Sequence, residues 1–511
     1  MRSILKQLLI SVSLANLCFL SVWKTLNSSN SQPYYLGDGD PLKIALAALI
    51  GMSALASAYG IAFWLGGRLR RASFRAWAER LFLLSLIVPL NGVRDNFPAL
   101  NLPHMTHYLG KPVLVVLAAL AFIAAGVVLI KWHRTASRIA LTAAVIMSPF
   151  CFMTYFKVSW YIRQSLHIAR RPPTHESVAP ASRSPNRILW FVYDEMDQRL
   201  TFAERPAGIE LPNFERLKDE SIYASNAISA CRDTREAMPS LMTGNIVAEV
   251  SPMGSDELML RYSAQQRYVS WSSEETVFST AKALGYRTAV IGWYHPYSRV
   301  IGHTLDYCVW VPWAFAADHN TILSCLLYEY QSILPVAAQG LRYREHVARY
   351  LRIQQAAEKV VLDPKYSFVL VHWPVPHMPF IYDRNKGYRW IVSWDGYFGN
   401  MVLADKSFGE IRKGLELNGL WDASTIIVTS DHFWRDSNLY DSRVDDRVPF
   451  IIKLPGKSMG LKYERVFNTI VTRELLEGFM KNSLSTADQV TRWLETKSRV
   501  QGRVAAMGNG N

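Results

Sequence analysis

Long apolar stretches dominate the first third of the chain. They cover residues 4–23, 43–66, 81–99, 112–131 and 139–160. A helix of about 20 mostly apolar residues is long enough to cross the hydrocarbon core of a bilayer. The third stretch is the weakest candidate, because Pro89, Asn91 and Arg94 interrupt it. We predict a transmembrane domain of five helices over residues 1–160, with the lipid bilayer as a partner.

Basic residues are unevenly distributed among the loops between these stretches. They concentrate between the second and third stretches and between the fourth and fifth, at Arg68, Arg70, Arg71, Arg75, Arg80, Lys131, Arg134 and Arg138. Loops that face the cytoplasm carry such an excess. The N-terminus is therefore predicted to be cytoplasmic, and five crossings place the rest of the chain in the periplasm or outside the cell. This is the topology of a multi-pass protein of the inner or plasma membrane.

The net charge of the chain has the same origin. Its formal value is +14, and residues 1–171 account for all of it, with 18 Lys and Arg against 4 Asp and Glu. Residues 172–511 are neutral overall, so they lack the basic excess that nucleic-acid binding requires. Nucleic acid is therefore not expected as a partner.

The remainder of the chain contains short apolar runs without polar alternation. They are Ile188–Tyr193, Arg287–Trp293, Ser367–Val371 and Thr425–Ser430. Such runs are typical of parallel strands that are covered on both faces. We predict an α/β domain with a mostly parallel central sheet over residues 187–484. Residues 161–186 are interpreted as a linker that begins with an interfacial or plain connecting helix, and residues 485–511 as a polar C-terminal tail.

Metal-ligand side chains follow each of the four predicted strands. They are Asp194, Glu195, His295, His377, Asp431 and His432. Because the carboxyl ends of parallel strands meet at one edge of a sheet, we expect these side chains to converge there. Oxygen and nitrogen donors of this kind suit zinc, manganese, calcium or magnesium.

Two segments between the first two strands carry a specific motif. Leu211–Ser221 contains Pro-Asn-Phe, and Ala230–Gly244 begins Ala-Cys-Arg-Asp-Thr-Arg and ends in Thr-Gly. With the first strand and Ser430-Asp431-His432, they resemble the alkaline phosphatase/sulfatase superfamily over roughly residues 187–456. Among its branches, the chain is most similar to membrane-bound phosphoethanolamine and phosphoglycerol transferases.

The resemblance implies a nucleophile and a metal centre. In the superfamily a Thr-Gly pair follows the nucleophile by nine residues, and counting back from Thr243-Gly244 gives Thr234. One divalent ion, with zinc as the first expectation, would activate its hydroxyl. The predicted ligands are Asp194, Asp431, His432 and Thr234, with Glu195 as a further ligand or as a hydrogen-bond partner of one.

A second register places the nucleophile three residues earlier. Cys231-Arg-Asp-Thr-Arg235 is similar to the signature in which sulfatases convert cysteine to formylglycine. Asp233 replaces the expected Pro or Ala, however, and this register puts Ser240-Leu241 where Thr-Gly should stand. We therefore prefer Thr234 and retain Cys231 as the alternative.

Four further residues are predicted to bind the substrate. Guanidinium groups match phosphate or sulfate oxygens in a bidentate manner, and imidazoles can protonate a leaving group. The candidates are Arg235, His295, His377 and Arg435. Gly292-Trp-Tyr-His295 keeps the histidine but lacks the lysine with which sulfatases hold sulfate, which weakens the expectation of sulfate specificity.

The resemblance implies transfer of a phospholipid headgroup to an envelope glycan or lipid. Hydrolysis of a sulfuric or phosphoric ester by a membrane-tethered sulfatase or phosphodiesterase is the alternative. A third possibility is a catalytically silent envelope scaffold, against which the retained Asp194, Thr234, Asp431 and His432 argue. Of the five cysteines, Cys308 and Cys325 are either a disulfide or two buried thiols.

Overall fold

A computed structural model describes most of the chain, including both predicted domains. The described residues are 2–26, 33–35, 40–95, 97, 100, 105, 109–166, 186–265, 267–313, 321–389, 395–456 and 460–508. Most of the predicted linker, residues 167–185, lies outside them.

The elements alternate in the order expected of an α/β chain only after residue 186. The helices are α1 (Arg2–Cys18), α2 (Leu20–Leu26), α3 (Pro41–Arg68), α4 (Ala72–Ser85), α5 (Ile87–Asp95), α6 (Lys111–Lys131), α7 (His133–Met147), α8 (Pro149–Leu166), α9 (Pro212–Asp219), α10 (Thr234–Thr243), α11 (Val277–Ala283), α12 (Tyr297–Val300), α13 (Ile322–Ile333), α14 (Pro335–Val361), α15 (Gly396–Leu417), α16 (Asn438–Asp441), α17 (Thr472–Met480) and α18 (Ala487–Gly508). The strands are β1 (Arg187–Asp194), β2 (Ile222–Ala224), β3 (Ala227–Ile228), β4 (Val247–Met253), β5 (Glu257–Tyr262), β6 (Tyr268–Ser270), β7 (Thr288–Tyr294), β8 (Tyr307–Pro312), β9 (Phe368–Pro376), β10 (Tyr382–Asp383), β11 (Gly387–Tyr388), β12 (Ser424–Ser430), β13 (Phe450–Lys453), β14 (Leu461–Tyr463) and β15 (Phe467–Asn468).

The chain divides into two compact units. The first comprises residues 1–169 and 314–341, and the second comprises residues 170–313 and 342–511. The first unit is therefore helical, and it includes α13 and the start of α14, which the sequence analysis had placed within the α/β domain.

Three helical segments of the first unit are long and apolar enough to cross a membrane. They are Leu42–Arg68, Ala72–Arg94 and Pro112–Lys131, which correspond to the second, third and fourth predicted spans. The fifth corresponds to His133–Met147 and Pro149–Trp160, two helices bent by 46° that together pass the same test. The first, Ile4–Cys18, is a shorter apolar helix. Large apolar side chains such as Phe122 on α6, which is 83% exposed, point outward, as expected for helices in lipid.

The second unit is built around an eight-stranded sheet. Its order is β14-β2-β13-β12-β1-β9-β7-β8. From β12 to β8 all neighbours are parallel, whereas β13 pairs antiparallel with both β12 and β2. The mixed α/β class with a mostly parallel sheet is confirmed, and the four predicted strands are β1, β7, β9 and β12. Because all eight residues of β1 are buried, the central strands are covered on both faces.

Aromatic packing fixes helices onto one face of this sheet. The Phe408 ring on α15 contacts Phe191 of β1 at 5.8 Å between centroids and Phe214 of α9 at 5.6 Å. All three side chains are fully buried. Burial of a side chain of this size stabilises a fold by about 1.5–3 kcal/mol, so this cluster holds α9, which precedes the predicted nucleophile segment, against the central strand.

The structure adds detail to two smaller expectations. Within the predicted polar tail, Ala487–Gly508 forms helix α18, which buries Val490 and Leu494 on one face. Their i, i+4 spacing is that of an amphipathic helix. Cys308 and Cys325 are both free thiols, as are Cys18, Cys151 and Cys231.

Candidate active site

The ends of β1 and β12 form the centre of the site. These strands are adjacent and parallel, with Tyr193 opposite Ser430, so Asp194 lies beside Asp431 and His432. Ser430 joins the two strand ends, because its hydroxyl donates to the Tyr193 carbonyl at 2.6 Å and accepts from the Met196 N–H at 2.8 Å. This pairing therefore brings Asp194, Asp431 and His432 together at one edge of the sheet, as the sequence analysis predicted.

Thr234 brings a hydroxyl to these ligands from the first residue of α10. Its Oγ1 donates to Asp431 Oδ2 at 2.7 Å and lies 3.3 Å from His432 Nε2 and 3.4 Å from Asp194 Oδ1. The side chain is 6% exposed. Its position at a helix N-terminus, where backbone N–H groups are free, also favours an anionic group bound to this oxygen.

The three ligand residues fit one divalent cation. One donor atom each from Asp194, Asp431 and His432 lies within 4.8 Å of the others, and all three residues are buried. The His432 Nδ1–H donates to the Phe433 carbonyl at 2.9 Å, which leaves the Nε2 lone pair directed at the carboxylates. Burial, followed by repulsion from Asp431, raises the pKa of Asp194 well above its usual value. A cation at this point would relieve that repulsion.

Trp293 is a supporting residue that the sequence analysis missed. Its indole Nε1–H donates to Asp194 Oδ2 at 2.6 Å, and its side chain is fully buried. This bond leaves Asp194 Oδ1 facing Thr234 and His432. The sequence had shown only that Trp293 ends the apolar run that precedes His295, and a tryptophan there is ordinarily a core residue.

His372 and Tyr297 form a second missed pair beside the ligands. The His372 Nε2 lies 3.8 Å from Asp431 Oδ2, and its Nδ1 is hydrogen-bonded to the Tyr297 hydroxyl at 3.0 Å. Burial lowers the pKa of His372 to about 4. The Tyr297 ring lies over Gly292, where a β-carbon would approach it to 2.3 Å, so the glycine is required for this packing.

The two predicted substrate histidines lie outside the ligand group. The Nε2–H of His295 donates to the Thr234 carbonyl at 3.1 Å, and burial lowers its pKa to about 3. It therefore supports the backbone of Thr234 as a neutral group. The Nδ1–H of His377 donates to the Met378 carbonyl, and its ring contacts Trp313 at 5.0 Å between centroids.

The remaining predicted residues form ion pairs at the edge of the site. Arg435 donates from Nε to Glu195 Oε1 at 2.8 Å and from Nη1 to Asp233, which directly precedes Thr234. Glu195 is thus held by a guanidinium and is not part of the three-residue ligand group. Arg235 is half-buried, with its guanidinium 3.9 Å from the carboxylate of Glu236.

Cys231 is directed away from the ligands. Its sulfur contacts Ser240 Oγ at 3.2 Å and the Val247 carbonyl at 3.6 Å. Burial raises the pKa of this thiol to about 11, so the thiolate is disfavoured. The Thr234 hydroxyl therefore reaches the two carboxylates, and the Cys231 thiol does not.

Comparison with known protein families identifies one match. The family model described as Sulfatase matches residues 188–470. The chain belongs to the sulfatase family. It is accordingly an enzyme acting on sulfuric or phosphoric esters. Enzymes of this family use a divalent metal ion, and the Asp-Asp-His group is a set of residues that could hold one. A search of curated proteins gives no match.

Solved structures with related folds come from several bacteria. A sulfatase from a Pseudoalteromonas species is 17% identical, with 60% of this chain and 70% of that chain covered and a TM-score of 0.41. The phosphonate monoester hydrolase of Agrobacterium radiobacter is 15% identical, with coverages of 57% and 73% and a TM-score of 0.38. An alkaline phosphatase superfamily protein from Vibrio parahaemolyticus is 14% identical, with coverages of 59% and 67% and a TM-score of 0.37.

Proposed function

We propose that the protein is a membrane-bound phospho-headgroup transferase that uses Thr234 as its nucleophile. The observation that carries this proposal is the position of Thr234 Oγ1, which lies within 3.4 Å of an atom of each ligand residue. A threonine hydroxyl is a weak nucleophile unless a base or a metal activates it. Asp431 Oδ2 accepts the hydrogen bond of this hydroxyl and is therefore placed to receive its proton.

The proposed cofactor is one zinc ion. Two carboxylates, one imidazole and the Thr234 hydroxyl provide four oxygen and nitrogen donors. Zinc favours four donors of this kind, whereas calcium takes a larger number of oxygen ligands. When bound, the ion supplies a lowered hydroxyl pKa and stabilises charge on the transferred group. Manganese and magnesium suit the same donors less well, because both prefer more oxygen ligands.

The proposed reaction has two steps that share Thr234. Its oxygen attacks the phosphorus of a phospholipid headgroup, the bond to the diacylglycerol oxygen breaks, and a Thr234 ester remains. The hydroxyl of an envelope glycan or lipid then attacks the ester and regenerates Thr234. Apolar helices of membrane-spanning length support a lipid donor, because they hold the enzyme at the bilayer that contains it. The basic loops support an active site in the periplasm or outside the cell.

A covalent ester at Thr234 is the feature to test. The full-length protein, reconstituted with phosphatidylethanolamine and quenched in acid, should yield a peptide whose mass increase lies on Thr234. Thr234→Ala should abolish both the modified peptide and turnover, because loss of an activated nucleophile costs on the order of several powers of ten in rate. Cys231→Ser is the matched control and should retain both. Loss of activity in Cys231→Ser with modification at residue 231 would contradict the proposal and favour the other register.

Hydrolysis is the second candidate, and the match to the sulfatase family favours it. In that reaction water replaces the acceptor hydroxyl after the Thr234 ester has formed. Release of free phosphoethanolamine at a rate that an added acceptor glycolipid does not change would support hydrolysis. Attachment of phosphoethanolamine to the acceptor glycolipid, in place of its release into water, would support transfer.

A further inference from the structure

The segment between β8 and the charged part of α14 has the composition of membrane-inserted chain. Residues 321–341 contain one Asp, Glu, Lys or Arg, which is Glu329, and Arg342-Tyr343-Arg344 follows directly. Basic and aromatic residues at the end of an apolar segment are typical of a membrane interface. At 12 residues, α13 is too short to cross a bilayer.

One face of α13 packs against α3 within the helical unit. Cys325 and Ile333 belong to a buried cluster with residues of the first half of α3, namely Ile44, Ala45, Ala47, Ala48 and Met52. The Tyr330 hydroxyl donates to the Gly51 carbonyl at 2.7 Å, and its ring contacts Phe19 at 5.7 Å between centroids. The absence of a side chain at Gly51 makes room for Phe19, the partner ring of Tyr330, because a β-carbon there would lie 2.9 Å from the Phe19 ring.

The opposite face of α13 is apolar and exposed. Leu323 and Leu327 are 67% and 53% exposed, and Leu334, directly after the helix, is 48% exposed. Their i, i+4 and i+11 spacing places them on one side. If this face lay in water, each of the three leucines would lose about 1 kcal/mol of burial free energy, which is about half of the value for a fully buried leucine. The single charged residue, Glu329, is only 3% exposed and lies on the face toward α3, as ionisable groups in membranes do.

The depth in the bilayer at which Tyr330 of α13 contacts Gly51 can be estimated from the position of Gly51 along α3. Asp40 caps this helix and pairs with Lys43 at 3.6 Å, so these residues mark its polar end. Gly51 lies ten residues after Pro41, which is about 15 Å along the axis at 1.5 Å per residue. This distance is about half of the 30 Å hydrocarbon thickness.

We propose that α13 and the first turns of α14 form a re-entrant hairpin that inserts its leucine face among the acyl chains of one leaflet. The residues before and after this segment, up to Trp313 and from Arg342, belong to the second unit, so the segment enters and leaves the helical unit as a hairpin. The exposed leucines of α13 belong to the same unit as the helices of membrane-spanning length, which also expose large apolar side chains, and this argues for acyl chains as the occupant of the face. The proposal does not depend on the reaction at Thr234.

Photocrosslinking to lipid tests the insertion in the full-length protein. A benzophenone amino acid would replace Leu327 or, as a second position, Leu323, with the protein in liposomes that contain radiolabelled phosphatidylcholine. Phe122 on the exposed face of α6 provides the reference for a lipid-facing position. Leu417, an exposed leucine of α15 in the second unit, provides the matched control at 77% exposure.

Positions 323 and 327 should incorporate lipid label within about threefold of position 122 and at least about tenfold above position 417, as expected for side chains in the acyl region. Lipid labelling no higher than at position 417 would overturn the proposal. Crosslinks at 323 and 327 to a second copy of the chain in place of lipid would also overturn it and would identify this face as a dimer contact. The readout uses no enzyme activity, so it remains informative if Thr234 proves not to be the nucleophile.

Discussion

The hydrogen bond from Trp293 to Asp194 allows a quantitative test of the metal centre. Trp293→Phe removes the indole N–H that lies 2.6 Å from Asp194 Oδ2 and keeps an aromatic ring in the same buried position. The carboxylate then loses a donor that fixes its orientation. We expect the variant to bind the cation more weakly while retaining its fold.

The size of this effect follows from the chemistry of the lost bond. A hydrogen bond to a charged group contributes about 1.5–3 kcal/mol, which corresponds to roughly 10- to 150-fold in an equilibrium constant. Loss of partners that orient metal ligands typically lowers affinity by about 10–100-fold, which is the same range. We therefore predict that Trp293→Phe weakens zinc binding by about 10–100-fold.

A second buried tryptophan provides the matched control. Trp373 on β9 is also fully buried, and its indole nitrogen has no hydrogen-bond partner among the described residues. Trp373→Phe should create a similar cavity, with a similar loss of thermal stability, but without a change in zinc affinity. The comparison therefore separates packing from ligand orientation.

Competition with a zinc chelator of known affinity, monitored on the detergent-solubilised protein, measures the binding constant directly. The thermal melting of both apo variants measures the packing cost. An affinity of Trp293→Phe within about threefold of wild type would refute the reasoning, because a donor worth 1.5 kcal/mol or more cannot be lost at that cost. Equal weakening in both tryptophan variants would assign the effect to packing.

Three further substitutions test other parts of the second unit. Gly292→Ala would place a methyl group 2.3 Å from the Tyr297 ring and should lower stability by about 1–3 kcal/mol, whereas Gly302→Ala, with nothing within 4 Å, should leave the melting curve unchanged. Arg435→Gln should cost about 2 kcal/mol by leaving Glu195 without its charged donor, and a double-mutant cycle in denaturant should show a smaller cost in a Glu195→Gln background. Burial lowers the pKa of Lys453 from 10.5 to about 8. The folded state therefore binds the Lys453 proton more weakly than the unfolded state does, and the stability of the wild type rises between pH 8 and pH 10.5. The melting temperature of Lys453→Met relative to wild type should consequently fall as the pH rises from 8 to 10.5, and a constant difference would contradict the shift.

The strands and the cluster of Asp and His residues at their ends could be predicted because their signals are local in sequence. An apolar run such as Thr425–Ser430 is a buried strand for reasons contained in the run itself, and Asp431-His432 directly follows it. Parallel pairing then brings the ends of β1 and β12 together. The sequence therefore sufficed to predict that Asp194, Asp431 and His432 lie together. The resemblance to the superfamily, through the spacing to Thr243-Gly244, added Thr234.

The supporting residues could not be predicted because their roles depend on sheet order. Trp293 reaches Asp194 from β7, which lies two places from β1, with β9 between them. Arg435 was predicted to bind substrate, and the fold adds that its guanidinium donates to Glu195 and Asp233, which the sequence did not indicate. The position of α13 in the helical unit was missed for a similar reason, since a 12-residue apolar helix suits a protein core as well as a bilayer.

The site also illustrates why its stability and its chemistry are linked. Parallel pairing of β1 with β12 forces two carboxylates into a buried position, where burial and mutual repulsion raise the pKa of Asp194. The backbone pairing and the Ser430 hydroxyl oppose this repulsion, because they fix the strand ends irrespective of charge. The fold thus holds Asp194 and Asp431 in a geometry that they would not adopt alone, and a divalent cation is the partner that lowers its free energy. The same unfavourable pairing that destabilises the apo protein would therefore contribute to the affinity for a cation beside Thr234.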